Sequence, residues 1–233
     1  MTESQSRPKA VIAIDGPAGC GKSTVAQMLA QRLGYVYVDS GAMYRAVAYR
    51  AREAGLDAAR DAEQIGNLAG ELSFEFQQVA EGQHLFVDGE DVEEVIRSVE
   101  VGNLSSPVSA IRQVREHLVA AQRQMAAQGG VIMEGRDIGT VVLPDADLKV
   151  FLTATAGERA RRRWVQLREQ GIIEDYEQVL RDQLERDQRD SSRATAPLRQ
   201  ADDAREVVTN NLSPEQIVAM IAGWLQEALK KDG

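Results

Sequence analysis

The stretch Gly16-Pro17-Ala18-Gly19-Cys20-Gly21-Lys22-Ser23 constrains this chain more than any other. An apolar run, AVIAIDG (10–16), precedes it and reads as a buried strand. From Gly21 to Leu33 the spacing is helical, with Val25, Met28, Leu29 and Leu33 on one face. Strand, glycine-rich turn and helix in that order make a phosphate cradle. The glycines let backbone N–H groups turn inward around an anion, and the helix start adds partial positive charge. Lys22 is placed to reach the β- and γ-phosphates of a nucleoside triphosphate. The Ser23 hydroxyl suits Mg2+, which would also be ligated by phosphate oxygens and water. Cys20 reads as a small filler and not a nucleophile. With Thr24 added, these residues form the expected donor-binding set.

The later chain repeats the strand–helix alternation. YVYVDSG (35–41), GVIMEG (130–135), LKVFLTA (148–154) and REVVTN (205–210) read as strands. AMYRAVAYRAREAG (42–55) reads as a helix ending at glycine, and Ser213-Pro214 as the cap and first residue of a final helix. Such alternation implies a parallel sheet with right-handed crossovers. Residues 70–98 break the rhythm. There apolar and polar residues alternate, with turn signals at Glu81-Gly82 and Asp88-Gly89, which is hairpin chemistry. The expected fold is therefore α/β: a three-layer phosphate-loop fold with a five-stranded parallel sheet and a β-rich insertion between its second and third strands.

Several function classes are excluded by what the chain lacks. No apolar run approaches the ~20 residues that span a bilayer, so no membrane role is expected. MTESQSRPKA reads as a short flexible tail and not a secretory signal, and a cytoplasmic location is expected. One cysteine allows no internal disulfide, and two histidines leave little for a multi-histidine metal site. A net charge of −9 argues against general nucleic-acid binding. Yet 22 of the 27 basic residues are arginine, whose planar fork suits phosphate. Nine arginines and nine acids lie between Glu158 and Arg193, where surface ion pairs explain some and ligand contacts the last few. No interface signature stands out, and a monomer is expected.

A phosphate cradle alone does not separate kinase, GTPase and motor ATPase. The guanine signature N-K-x-D is absent, and the chain is short for a motor. Two features point to a second, phosphate-accepting substrate. Asp39-Ser40-Gly41 closes the second strand, with Arg45 following; in an open α/β sheet that edge is where ligands bind. Asp39-Ser40 also suits a helix N-cap. Glu134-Gly-Arg136-Asp137 closes the third strand, where Arg136 could hold a phosphate and Asp137 could accept from an exocyclic amine or Mg2+-bound water. A structural Arg–Asp pair is the alternative.

The ordered runs IDGPAGCGKST, DSGAMYRAV, SSPVSAIRQVRE, GRDIGTVVLPDADLKVFLTA, ERARRR, ERDQRDSSRATAPL and NLSPEQIV closely resemble those of bacterial cytidylate kinases, from about Val11 to Leu229. The resemblance implies transfer of the γ-phosphoryl group of ATP to CMP or dCMP, with Mg2+. It implies a core (1–40, 117–155 and 174–233), a monophosphate-binding domain (41–116) and a short helical lid (156–173). Ser106, Arg115 and Asp137 would read cytosine; Arg45 and Arg136 would hold the acceptor phosphate, beside Asp39 and Ser40. Arg186 and Asp190 would contact the ribose, Arg193 the phosphates between the nucleotides, and Arg159 and Arg163 the ATP phosphates from the lid. Lys22, Arg136, Arg163 and Arg193 would carry catalysis. Arg186, Arg189 and Arg193 recur at helical spacing, if the helix continues past Asp190. Gly157 and Gly171 flank the lid sequence as hinges or as helix caps. The alternatives are a kinase for UMP or AMP, and a nucleotide-binding regulator with slow ATPase activity.

Overall fold

The computed structural model describes residues 9–231 apart from Glu81 and Ala194. The expected tail through residue 8, and Glu81 of the expected Glu81-Gly82 turn, lie outside the described residues. In chain order the elements are β1 (Val11–Asp15), α1 (Lys22–Leu33), β2 (Val36–Asp39), α2 (Ser40–Glu53), α3 (Ala62–Glu71), β3 (Phe74–Val79), β4 (Gly82–Val87), β5 (Glu90–Asp91), α4 (Val99–Val108), α5 (Arg112–Ala126), β6 (Val131–Gly135), β7 (Leu148–Thr153), α6 (Ala156–Glu169), α7 (Tyr176–Ser192), β8 (Arg205–Val208) and α8 (Pro214–Lys231). A 3-10 turn spans Val95–Arg97 and a π-helical turn spans Ile138–Val142.

The five longer-range strands form one sheet in the order β2-β6-β1-β7-β8. β1 is central because it is apolar on both faces: Ile12, Ala13 and Ile14 are wholly buried. It runs parallel to both neighbours, Asp15 lying opposite Gly135 of β6 and Phe151 of β7. The chain divides into two compact units, 1–36 with 128–233, and 37–127.

In the first unit, α1 packs on α8. α8 buries Ile217, Val218, Ile221, Ala222 and Leu225, one stripe of a 3.6-residue period. Its start is a reciprocal cap: the Gln216 N–H donates to Ser213 Oγ, and the Ser213 N–H to Gln216 Oε1. α6 and α7 form a helical hairpin around Ala160, Leu167 and Val179, with Trp164, Ile172 and Tyr176 packed against them. The turn between them is closed by a Schellman motif. Gly171 N–H donates to Arg168 O at 3.0 Å, Ile172 N–H donates to Leu167 O at 2.9 Å, and Gly171 sits at φ +76°. α7 does pass Asp190, but it ends at Ser192. Arg193 has extended backbone (φ −57°, ψ 134°) and so leaves the face that helical spacing would give it.

In the second unit, β3, β4 and β5 form a small antiparallel sheet. Asp88 (φ 53°) and Gly89 (φ 82°) supply the two left-handed residues of the β4–β5 turn, as the Asp-Gly signal requires. Four helices, α2 to α5, accompany it, α2 against α4 and α3 against α5. Among the described residues no helix is long and apolar enough to cross a membrane.

Gly171 and Gly157 should respond oppositely to alanine. Gly171 needs a left-handed backbone, so Gly171→Ala should cost about 1 kcal/mol. Gly157 lies inside α6, where an added Cβ meets only the Tyr176 hydroxyl at 3.5 Å. Gly157→Ala should therefore gain about 0.5 kcal/mol of helix propensity. Urea unfolding of the two variants checks both signs.

Candidate active site

The phosphate loop links β1 to α1 in the first unit, and its backbone admits few substitutions. Gly16 lies at φ +148°, and a Cβ there would fall 2.0 Å from the Leu152 carbonyl oxygen of β7. Three loop carbonyls are tied by side chains. Pro17 O accepts from Lys22 Nζ at 2.8 Å, and Cys20 O from Thr209 Oγ1 at 3.0 Å. Ala18 O accepts from Gln183 Nε2 at 2.7 Å and Arg159 Nη1 at 3.2 Å. Lys22 is buried at the first position of α1. Burial, and then Arg136 beside it, pull its pKa below the ordinary lysine value. Ser23 and Thr24 are exposed in the same turn, and Cys20 is fully buried.

Next to the loop, at the end of β6, stand Arg136 and Asp137, both following the residue paired with Asp15. Arg136 Nε donates to Asp190 Oδ2 at 2.9 Å, and Arg193 Nη2 donates to Asp190 Oδ1 at 2.6 Å. One buried carboxylate thus holds two guanidiniums. Burial raises the pKa of Asp190, but Arg136, Arg193 and then Arg186 outweigh it, and the group stays below the ordinary carboxylate value. Asp137 is buried and precedes the π-helical turn.

The arginines of α6 divide by partner. Arg159 is buried and saturated by protein acceptors: both Asp187 oxygens, at 3.0 and 2.6 Å, and the carbonyls of Ala154 and Ala18. Arg162 reaches Glu158, Thr209 Oγ1 and Thr209 O. Arg163 hydrogen-bonds Gln166 Oε1 at 3.0 Å. Among the described residues no carboxylate pairs with Arg163, and burial lowers its pKa.

In the second unit, Asp39 organises the start of α2. Its Oδ1 caps the helix through the Ala42 N–H at 2.9 Å, so the N-cap reading holds. Its Oδ2 accepts from Arg45 Nη2 and Arg97 Nη1, each at 2.9 Å. Burial raises Asp39, but Arg45 and Arg97 overcome it and hold the carboxyl at about 2. Arg45 Nε is buried with no hydrogen-bond partner, a donor left over in a site already built around charge. Ser40 is buried at the first residue of α2. Arg115 is buried on α5 with its guanidinium 5.7 Å from the Tyr44 ring centre, and Ser106 is half-buried on α4.

Sequence reasoning passed over Asp15, Arg97, Asp187 and Gln183. Only Asp15 carried a local signal, an acid closing an otherwise apolar strand. Its carboxylate accepts the N–H groups of Ile138 and Gly139 at 2.8 and 2.7 Å. Burial raises its pKa from 3.8 to about 6 against the pull of those bonds.

Among the described residues no group of three or more His, Cys, Asp or Glu side chains could hold a metal ion. The exposed Ser23 hydroxyl fits an ion that arrives with a triphosphate and keeps its waters, as Mg2+ does.

A lysine-bearing phosphate loop on the central strand of this sheet, with the half-buried Arg136 at the end of the next strand, defines a P-loop nucleotide-binding protein. At the level of fold, the chain is similar to a gluconokinase from Sinorhizobium meliloti, with a TM-score of 0.50, 14% identity and 97% of each chain covered. Residues 12–227 match the family model described as cytidylate kinase. The chain is 47% identical to a cytidylate kinase from Limosilactobacillus fermentum, over 94% of this chain and 97% of the relative. It is 50% identical to a cytidylate kinase from an Exiguobacterium species, over 93% and 96%. The chain belongs to the cytidylate kinase family.

The raised pKa of Asp15 fixes the sign of a pH effect. Stability contributed by this group is fully present below 3.8 and lost as pH rises through about 6. Relative to Asp15→Asn, the wild type should therefore gain roughly 1 kcal/mol of unfolding free energy between about pH 7 and about pH 5. Denaturant titrations of both proteins at the two pH values measure it. A difference that stays flat or shrinks would place the Asp15 pKa near its ordinary value.

Proposed function

We propose that the chain transfers the γ-phosphoryl group of ATP to CMP or dCMP, releasing ADP and CDP or dCDP. The observation that carries this reading is the adjacency of two ligand-binding ends. β1 ends at Asp15 and opens into the phosphate loop; β6, paired to it, ends at Gly135 and opens into Arg136-Asp137. A donor phosphate on one strand end and an acceptor on the next are positioned for direct transfer.

The acceptor phosphate oxygen is already anionic near neutral pH, so the protein need supply no strong general base. What it supplies is alignment and charge. Lys22 would hold the β- and γ-phosphates, and Arg136 and Arg193 the phosphates at the transfer point. Ser23 would hold the Mg2+ that accompanies ATP, which supplies charge neutralisation on those phosphates. Arg163 is the favoured lid contact to ATP, because it gives up only Gln166. Arg159 would have to leave Asp187, so its first role is to hold the Ala18 carbonyl. Arg45, with its unpartnered Nε, would bind the acceptor phosphate; Asp39 and Ser40 would steady it. Ser106, Arg115 and Asp137 would read cytosine, whose amine and two acceptors match a carboxylate and a guanidinium. Uracil would face Asp137 with an acceptor, at a cost of about 1–3 kcal/mol. Arg186 and Asp190 would contact the ribose. As the lid, α6 with the turn to residue 173 would exclude water, which would otherwise take the phosphoryl group.

A coupled ADP-release assay across CMP, dCMP, UMP, AMP and GMP tests the assignment, and highest kcat/KM on UMP or AMP would refute it. Turnover by no monophosphate would favour a nucleotide-binding regulator. Lys22→Ala should lower kcat at least about a hundredfold with the fold intact by circular dichroism. Arg45→Ala should raise KM for every accepted monophosphate alike, since a phosphate contact ignores the base. Asp137→Ala should instead weaken CMP far more than ATP, and equal losses on the two would assign it other work.

A further inference from the structure

We propose that Asp15 is a positioning residue for base selection, its carboxylate fixing the backbone that carries Asp137. The inference rests on the cytosine-reading role proposed for Asp137. The two amides that Asp15 accepts, Ile138 and Gly139, are the first of the π-helical turn. Opening amides of a helical turn have no carbonyl behind them to serve as acceptor. The turn's own bonds begin later: Val141 N–H and Val142 N–H both donate to Asp137 O, at 2.9 and 3.2 Å, and Leu143 N–H donates to Ile138 O at 2.7 Å. Asp137 is thus fixed on both sides. Before it, β6 is laddered to β1 as far as Gly135; after it, the next two amides are bound to the last residue of that same strand. With its backbone held, the Asp137 side chain retains only its rotamers.

The choice of side chain argues for more than a routine cap. Asn or Ser could cap such a turn through a single oxygen, without burying a charge. The carboxylate gives each of the two consecutive N–H groups an acceptor oxygen of its own. Burial first, and Asp137 as a second acid, disfavour that charge, while the two amide bonds favour it. Asp15 also begins the phosphate loop, since Gly16 follows it directly. One residue therefore ties the base-reading turn to the strand that launches the donor loop.

The test compares kcat/KM for CMP and UMP in wild type, Asp15→Asn, Asp137→Ala and the double variant. Asn keeps one acceptor and turns an N–H group toward the second amide. Asp15→Asn should lower the CMP:UMP ratio about tenfold, leave KM for ATP within about twofold, and change the ratio no further in the Asp137→Ala background. Asp15→Glu keeps the charge but moves it by one methylene, and should lower the ratio too; it carries the test if Asp15→Asn does not fold. Amide exchange at Ile138 and Gly139 should speed up in either variant. Equal losses on CMP and UMP, or an effect that multiplies independently with Asp137→Ala, would leave Asp15 a structural residue and overturn the proposal. A wild type without preference for CMP over UMP overturns the cytosine reading and this inference with it; a preference that survives both Asp15 variants overturns this inference alone.

Discussion

Guanidiniums gathered in one place need a counter-charge between them. Two guanidiniums a few ångströms apart repel by several kcal/mol at an effective dielectric near 20. The fold answers with one shared carboxylate per pair. In the first unit Asp190 takes Arg136 and Arg193; in the second Asp39 takes Arg45 and Arg97. Each acid is buried, and each is drawn below its ordinary pKa by the cations it holds. Such pairs are weak evidence for stability, because desolvation consumes much of their attraction. Their value is to keep charge concentrated and oriented. Lys22 and Arg163 stand outside this scheme, held by a carbonyl and an amide instead.

The same logic extends to the loop's neutral groups. The Ala18 and Cys20 carbonyls are bound by Thr209, Gln183 and Arg159, side chains that lie between 141 and 189 residues further along the chain. A loop closed only by its own glycines would be free to turn its oxygens toward an anion. Here α6, α7 and the segment after β8 each hold one face of it in place. Preorganisation of this kind costs nothing at the moment of transfer, because the ordering was completed during folding.

The phosphate loop, the five parallel strands and the hairpin turn at Asp88-Gly89 were legible because their signals are local: a glycine spacing, an apolar run, a two-residue turn. Residues expected at the strand ends, Asp39, Arg136 and Asp137, follow from those strands. What stayed hidden depends on pairings across the chain. Arg97 meets Asp39 at a separation of 58 residues, and no periodicity announces it. The pair between Arg159 and Asp187 was hidden because the two residues belong to different helices. Asp15 was visible as an acid ending a buried strand, but its two amide partners are over 120 residues away. Arg193 leaves the expected helical face because the chain turns back on Asp190, whose carbonyl accepts from Leu198 N–H.

The sole thiol of the chain lies inside the phosphate loop, fully buried, with its carbonyl bound to Thr209. A modifying reagent has no other cysteine to find, and it finds this one only when the loop opens. Alkylation at Cys20 is therefore a clock for loop opening that the protein already contains. It requires no label, and any ligand that clamps the loop will slow it.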